Sequence, residues 1–401
     1  MKLNWKKNTA VFMSSQAVSQ LGSSLVQFAI TSYITVQTQS GIYAMMAIIC
    51  ATLPMFLLSP FAGVWADRYN RKTLIILADG AIAACTLIVA VLFLLGHESM
   101  LLLFIALIIR SFGSAVQAPC VGAMLPDIVP AENLNRVNGM NGSLQALFSL
   151  GSPILGALLL SHFPLGSIFF VDIITAILAI TILLTTFKLP QKKIIKEAKD
   201  KDYFSDLEEG FRYIIKTRFL MEFFAFCIIY FILMAPAAFL TQVQVVRNYG
   251  EDYWYLSTIE VAFAVGMVVG SVGITLWGGL KNKIHTVALA AGLLGICSAS
   301  LGIRMPFTPY VILMGGFGLA IPAINTPVMT LLQEKVETEY IGRVFGVMTM
   351  INTSMMPLGM VLFGPLADVI SIEAILIGTG VLMTVSAWIM TRMKALCQID
   401  T

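Results

Sequence analysis

The sequence predicts an all-α polytopic membrane protein: twelve transmembrane helices arranged as two pseudo-symmetric six-helix lobes. Composition, the length of the apolar runs and the placement of basic residues carry that expectation. Of 401 residues, 58% are hydrophobic and only 12% charged, and the mean hydropathy is +0.87; a soluble domain averages about 25% charged. Such a chain has too little polar surface to face water, so its solvent is lipid. Apolar runs of roughly 20 residues can cross a bilayer as helices. Twelve are legible, near 9–35, 42–66, 73–96, 100–124, 137–161, 165–188, 217–242, 255–279, 284–303, 307–332, 340–367 and 371–392. They are too long and unbroken for barrel strands, which alternate over about ten residues.

Twelve spans put both termini on one side. Of the 25 Lys and Arg, all but Arg110, Arg247 and Arg304 fall in the termini and loops of that side. Basic residues mark the cytoplasmic face, so both termini are expected there, in a multi-pass protein of the cell (plasma or inner) membrane. No small-residue cleavage site follows the first span, which is expected to be retained. The polar stretch 189–216 divides the chain into lobes 1–188 and 217–401; Phe204, Leu207, Phe211 and Ile214 recur there at helical spacing. That pattern fits an amphipathic helix on the membrane surface, and equally a solvated tether with some helix. The lobes echo one another. VPAENLNRVNGM aligns with VETEYIGRVFGV at an offset of 207 residues, Val129 to Val336, and acids stand just upstream of each at Asp127 and Glu334. Each segment opens the fifth span of its half, as in two-lobed alternating-access transporters built from repeats.

In chain order, the first polar feature is a stripe on span 1: Gln16, Gln20, Ser23 and Gln27 keep within about 60° of arc on a helix. Such a stripe faces protein or water rather than lipid. Two readings stand, hydrogen bonding to neighbouring helices and lining of a central cavity. Between spans 2 and 3 comes GVWADRYNRK, with Gly63, Asp67, Arg68, Arg71 and Lys72. The charge rule accounts for the three bases but not for Asp67 or the spacing. This loop closely resembles the signature loop of the major facilitator superfamily, with Asn70 where a second glycine is common. Asn tolerates positive φ better than other non-glycine residues, so the tight turn is expected to survive. In that family the loop latches the lobes on the cytoplasmic side. The resemblance implies that Asp67 meets the free N–H groups opening span 11 near Gly342, and that the arginines meet Asp127. The later loop GGLKNK (278–283) keeps glycine and base but has no acid, so only the first is expected to carry the full latch.

Further patches extend the resemblance over nearly the whole chain. IIRSFGSAVQAP in span 4 is similar to the arginine motif of proton-coupled members, and SLGSPILGAL in span 5 to the glycine–proline antiporter motif, at Gly151, Pro153 and Gly156, with Ala157 where that motif has glycine. The layout, with STIEVAFAVGM in span 8 and EYIGRVFG before span 11, resembles the drug/proton antiporter branch that contains macrolide efflux pumps and siderophore exporters.

Charges inside a bilayer are expensive and are functional hypotheses by default. Arg110 lies about ten residues into span 4, too deep to snorkel readily. Asp172 in span 6, Glu260 in span 8 and Asp79 in span 3 are its candidate partners or the candidate proton carriers, and Asp79 is near enough to the signature loop to belong to it. A pairing of Arg110 with Asp172 would keep that acid ionised until substrate intervenes. Asn325 in span 10 and Asn352 in span 11 are further cavity candidates. Neutral amides among Phe, Tyr and 22 Met suit a bulky amphipathic solute. No phosphate-binding loop occurs, and no nucleophile–base arrangement suggests an enzyme. The six scattered cysteines and three histidines offer no metal-ligand spacing. The expectation is therefore an exporter of macrolide-type or multidrug-type compounds, working by proton antiport and alternating access. No cofactor is expected beyond the proton gradient. Its partners are lipid, protons and a small-molecule substrate, without nucleic acid, and the chain is expected to be monomeric. Export of an endogenous metabolite such as a siderophore is the alternative; a proton-driven importer and a non-transporting sensor rank behind it.

Overall fold

A computed structural model describes residues 5–187, 211–280, 282–337, 340–393 and 396. Among them lie twelve long helices and no strand: α1 Trp5–Thr38, α2 Gly41–Arg68, α3 Arg71–Leu94, α4 Met100–Ile128, α5 Leu134–His162, α6 Leu165–Thr185, α7 Arg218–Tyr249, α8 Tyr253–Trp277, α9 Lys283–Leu301, α10 Phe307–Lys335, α11 Ile341–Leu366 and α12 Ile372–Met390. Each matches one expected span. Eleven are long and apolar enough to cross a membrane; α1, at 34 residues, is long enough but its glutamines and serines lower its hydropathy. Apolar runs propagate the helices, and short polar residues start several of them. Asn70, Ser99, Asn282 and Ser371 accept bonds from first-turn amides of α3, α4, α9 and α12, satisfying donors that have no intrahelical partner. The segment 188–210, which carries most of the expected amphipathic helix, lies outside the described residues; 211–216 are helical.

The chain divides into two compact units. The first is Met1–Thr38, Met46–Glu197 and Glu251–Ser257; the second is Gln39–Met45, Ala198–Gly250 and Thr258–Thr401. In the first, α1 packs against α6 and α5, while α3 lies between α4 and α6. In the second, α7 packs against α12 and α11, while α9 lies between α10 and α12. The second pattern is the first shifted by six helices, so the repeat read from two polar loops extends to the packing of whole helices. Small residues permit the closest approaches: a Cβ on Gly380 of α12 would lie 2.3 Å from the Ala299 backbone nitrogen of α9. Large side chains such as Ile88, Leu178 and Leu184 remain exposed, as faces solvated by lipid require.

Candidate functional site

The first unit holds its charges in the interior. Arg110 of α4 and Asp172 of α6 form an ion pair with both side chains buried, Arg110 Nη1 donating to Asp172 Oδ2. Thr86 of α3 bridges them, receiving from Arg110 at 3.1 Å and donating to Asp172 at 3.2 Å. Ser23 of α1 touches both: its carbonyl accepts from Arg110 Nη2 at 2.8 Å and its hydroxyl donates to Asp172 Oδ1 at 3.0 Å. Charges this deep need both a counter-charge and polar neighbours, and four helices supply them. Arg110 Nε alone finds no partner.

Asp79 of α3 forms a second centre, with no base bonded to it among the described residues. Its Oδ1 accepts from Ser19 of α1 and Gln117 of α4, each at 2.9 Å; Gln117 also donates to Gln16 at 3.4 Å. Asp79 Oδ2 and Gln16 Nε2 are buried without a partner. From sequence Asp79 is a proton-carrier candidate near enough to the signature loop to belong to it; its bonds run to α1 and α4, because position 79 faces the interior two turns beyond that loop. The span 1 stripe is largely engaged with other helices. Gln16 joins the Asp79 centre, Ser23 the ion pair, and Gln20 accepts from Gln145 of α5 at 2.7 Å. Gln27 lies half-buried further along α1. Ser19, Thr86, Gln117 and Gln145 were not singled out from sequence. Gln117 falls within the span 4 motif, and Ser19 shares a helix face with Gln16 and Ser23, so helical spacing was the available signal.

At the signature loop, Arg71 forms an ion pair with Asp127 at the end of α4 and donates to the carbonyls of Ala66 and Ala123 at 2.8 and 2.9 Å. Lys72 donates to the Phe187 carbonyl at 2.9 Å and lies over that ring. Arg68 is exposed and Gly63 has open space where a side chain would be. Asn70 does not adopt positive φ: at φ −67° and ψ 111° it is extended and caps α3, because its amide group is better used on a free helix N–H. The Asp67 side chain lies outside what is described, and Gly342 stands in the first turn of α11 with open space beside it. The second unit repeats the tie, Lys283 pairing with Glu334. The offset of 207 carries Asp127 onto Glu334, whereas it sets Lys283 opposite Ile76 rather than Arg71, so the acid follows from the repeat and its basic partner does not. Here the turn does need positive φ, at Gly278 and Gly279. In span 5, Pro153 sits within α5. A Cβ on Gly156 would meet Phe28 of α1 at 2.5 Å, while Gly151 is unconfined. The motif therefore allows α1 and α5 to approach, and Ser152 and Ser24 hydrogen-bond across the same contact at 2.8 Å.

The second unit is built differently. Glu260 of α8, half-buried, accepts from Gln242 of α7 at 2.7 Å. Asn325 of α10 and Asn352 of α11 come together in a cavity of about 150 Å³ whose walls are apolar and aromatic, Phe226, Tyr230, Phe231 and Met234 of α7 among them. Phe226 stacks on Tyr230, centroids 5.3 Å apart, and Tyr230 is anchored by its hydroxyl to the Ala291 carbonyl at 2.9 Å. Two amides in an otherwise apolar wall can orient an aromatic or aliphatic group that carries a hydrogen-bonding substituent.

A family model, Major Facilitator Superfamily, matches residues 12–360. The chain belongs to that superfamily. It is therefore a multi-pass membrane transporter and not an enzyme. Among curated superfamily relatives, macrolide efflux protein A of Streptococcus pyogenes is 28% identical over 399 residues, covering 99% of this chain and 98% of that one. Multidrug efflux pump Tap of Mycobacterium bovis is 24% identical over 405 residues, covering 97% and 94%. Solved structures share the fold: a POT family transporter in complex with 5-aminolevulinic acid (TM-score 0.71, 12% identity, 97% and 96% covered), and a bacterial homologue of the lysosomal transporter Spinster (0.69, 13%, 99% and 98%).

Proposed function

We propose that this chain exports bulky amphipathic compounds of macrolide or multidrug type across the plasma membrane by proton antiport and alternating access, with both termini cytoplasmic. The efflux relatives support the direction and the substrate class. The observation that carries the coupling is the pairing of two unlike carboxylates in one unit. Asp172 is neutralised by Arg110, whereas Asp79 is buried with no cation and one oxygen unbonded. A buried carboxylate without a counter-charge is costly in lipid, so Asp79 is the group suited to hold a proton and to surrender it when water or substrate reaches it. Ser19 and Ser23 of α1 touch the two centres in turn. A movement of α1 therefore alters both, which gives substrate arrival a route to the proton. The amide-bearing cavity of the second unit receives an apolar arm of the substrate. Arg71, Lys72 and Asp127 brace the signature loop that, with Asp67, latches the cycle.

The test is accumulation of macrolides, dyes and siderophores by everted vesicles under an imposed pH gradient. Macrolide or dye accumulation that an uncoupler collapses is expected. Movement of siderophores alone would shift the substrate class to an endogenous chelator, and no movement of any compound would defeat the proposal.

A further inference from the structure

Where α1 and α5 begin, on the face that the basic residues assign to the cytoplasm, the first unit holds a groove of about 310 Å³ that the transport scheme does not use. Lys6, Thr9, Asn133 and Arg136 supply its polar groups, and Trp5 and Met140 are among its apolar ones. At ~30 Å³ per water it has room for roughly ten waters, enough for a phosphate with part of a glycerol.

The groove is chemically one-sided. Among the described residues no Asp or Glu lines it and neither Lys6 nor Arg136 has an ion-pair partner; Lys6 lies over the Trp5 ring, 5.8 Å from its centroid. Thr9 is 6% exposed, yet its hydroxyl bonds to nothing. A helical threonine ordinarily returns that proton to a carbonyl one turn back, as Thr31 and Thr35 do on the same helix. A buried hydroxyl without a partner is unfavourable unless a ligand completes it. Asn133 likewise stands at the start of α5 without making a side-chain cap. Two unpaired cations, a hydroxyl and an amide thus converge on one groove, beside a tryptophan of the kind that settles at headgroup depth.

We infer that this groove binds the headgroup of an anionic phospholipid, its phosphodiester held by Lys6 and Arg136, Thr9 and Asn133 donating to the phosphate or glycerol oxygens, and an acyl chain running along the apolar wall. The inference is independent of which solute the protein exports. The test is native mass spectrometry of the purified full-length protein with defined phosphatidylglycerol and phosphatidylcholine mixtures, with thermal unfolding to verify that each variant is folded. The wild type is expected to retain phosphatidylglycerol over phosphatidylcholine by about tenfold or more, given two cations at the surface. Lys6→Gln with Arg136→Gln should bring the ratio to near one, and Thr9→Val, which keeps shape and both charges, should lower it severalfold. Neutralising Arg218 and Arg392 instead should leave it unchanged. An equal loss in that control pair would mean that the groove has no special role, and an unchanged ratio in both groove variants would refute the site. Displacement of the lipid by millimolar inorganic phosphate would reassign the groove to a free anion.

Discussion

The two units share a helix-packing pattern and differ in what they place at matching positions. Carried forward by 207 residues, Gln16, Gln20, Ser23 and Gln27 of α1 fall on Phe223, Cys227, Tyr230 and Met234 of α7, all of which line the aromatic cavity. Asp79 falls on Thr286, Arg110 on Phe317 and Asp172 on Thr379, while Gln145 falls on Asn352. Every buried charged side chain among the described residues, Asp79, Arg110 and Asp172, belongs to the first unit. The second keeps its charges at helix ends, apart from half-buried Glu260. One scaffold thus serves two kinds of interior. A hydrogen-bonded network around buried charges occupies one, and an apolar cavity bearing two amides occupies the other.

The comparison breaks most visibly at the ion pair. Arg110→Gln strands Asp172 in the interior, and breaking a buried pair costs about 3–5 kcal/mol; the purified variant should unfold well below the wild type in a thermal scan. Replacing both partners, Arg110→Met with Asp172→Leu, should recover much of that stability without restoring gradient-driven transport. Wild-type transport by the double variant would remove the pair from the mechanism.

Asp79→Asn comes next. The amide can still accept from Ser19 and Gln117, so folding and solute binding should persist, while uphill accumulation in vesicles drops at least about tenfold if the site supplies the general proton-transfer role. In the second unit, Phe226→Ala should weaken binding of large apolar solutes by about 1–3 kcal/mol, measured by fluorescence titration, without changing protons moved per solute. Asn325→Ala and Asn352→Ala should each cost about 1 kcal/mol, and only for solutes bearing a hydrogen-bonding substituent.

The smallest expected effect concerns the second unit's peripheral charges. Asp368 follows α11; burial pushes its carboxyl up, but bonds from Ser40 and the Gly41 and Ile42 amides, with the Arg247 charge, hold it below the usual value on balance. Its folded value lies below the unfolded ~3.9, so its contribution is complete above that pH and fades as pH falls through the folded value. Asp368→Asn should lower the unfolding temperature slightly near neutrality and have no effect in strong acid.

Much of this was legible in the sequence because lipid leaves few options. Unbroken apolar runs become helices, and a charge within one must find a partner. That logic singles out Arg110 and leaves Asp172, Glu260 and Asp79 as its candidate partners; the structure pairs it with Asp172. The logic could not choose between hydrogen bonding and cavity lining for the span 1 stripe, because both satisfy the same requirement; the structure engages Gln16, Gln20 and Ser23 with neighbouring helices. Asn70 misled because its tolerance of positive φ competes with its strength as a cap, and the free amides of α3 won. The aromatic cavity was hidden because Phe226 and Tyr230 look like any apolar span residues until α10 and α11 bring Asn325 and Asn352 beside them.

The central claim is that the first unit moves the proton and the second selects the solute. Its most direct measurement is proton release from the purified protein in weakly buffered detergent on adding a transported solute. The account predicts release from the wild type and from Phe226→Ala at saturating solute, and none from Asp79→Asn although the solute still binds. Undiminished release from Asp79→Asn would contradict it.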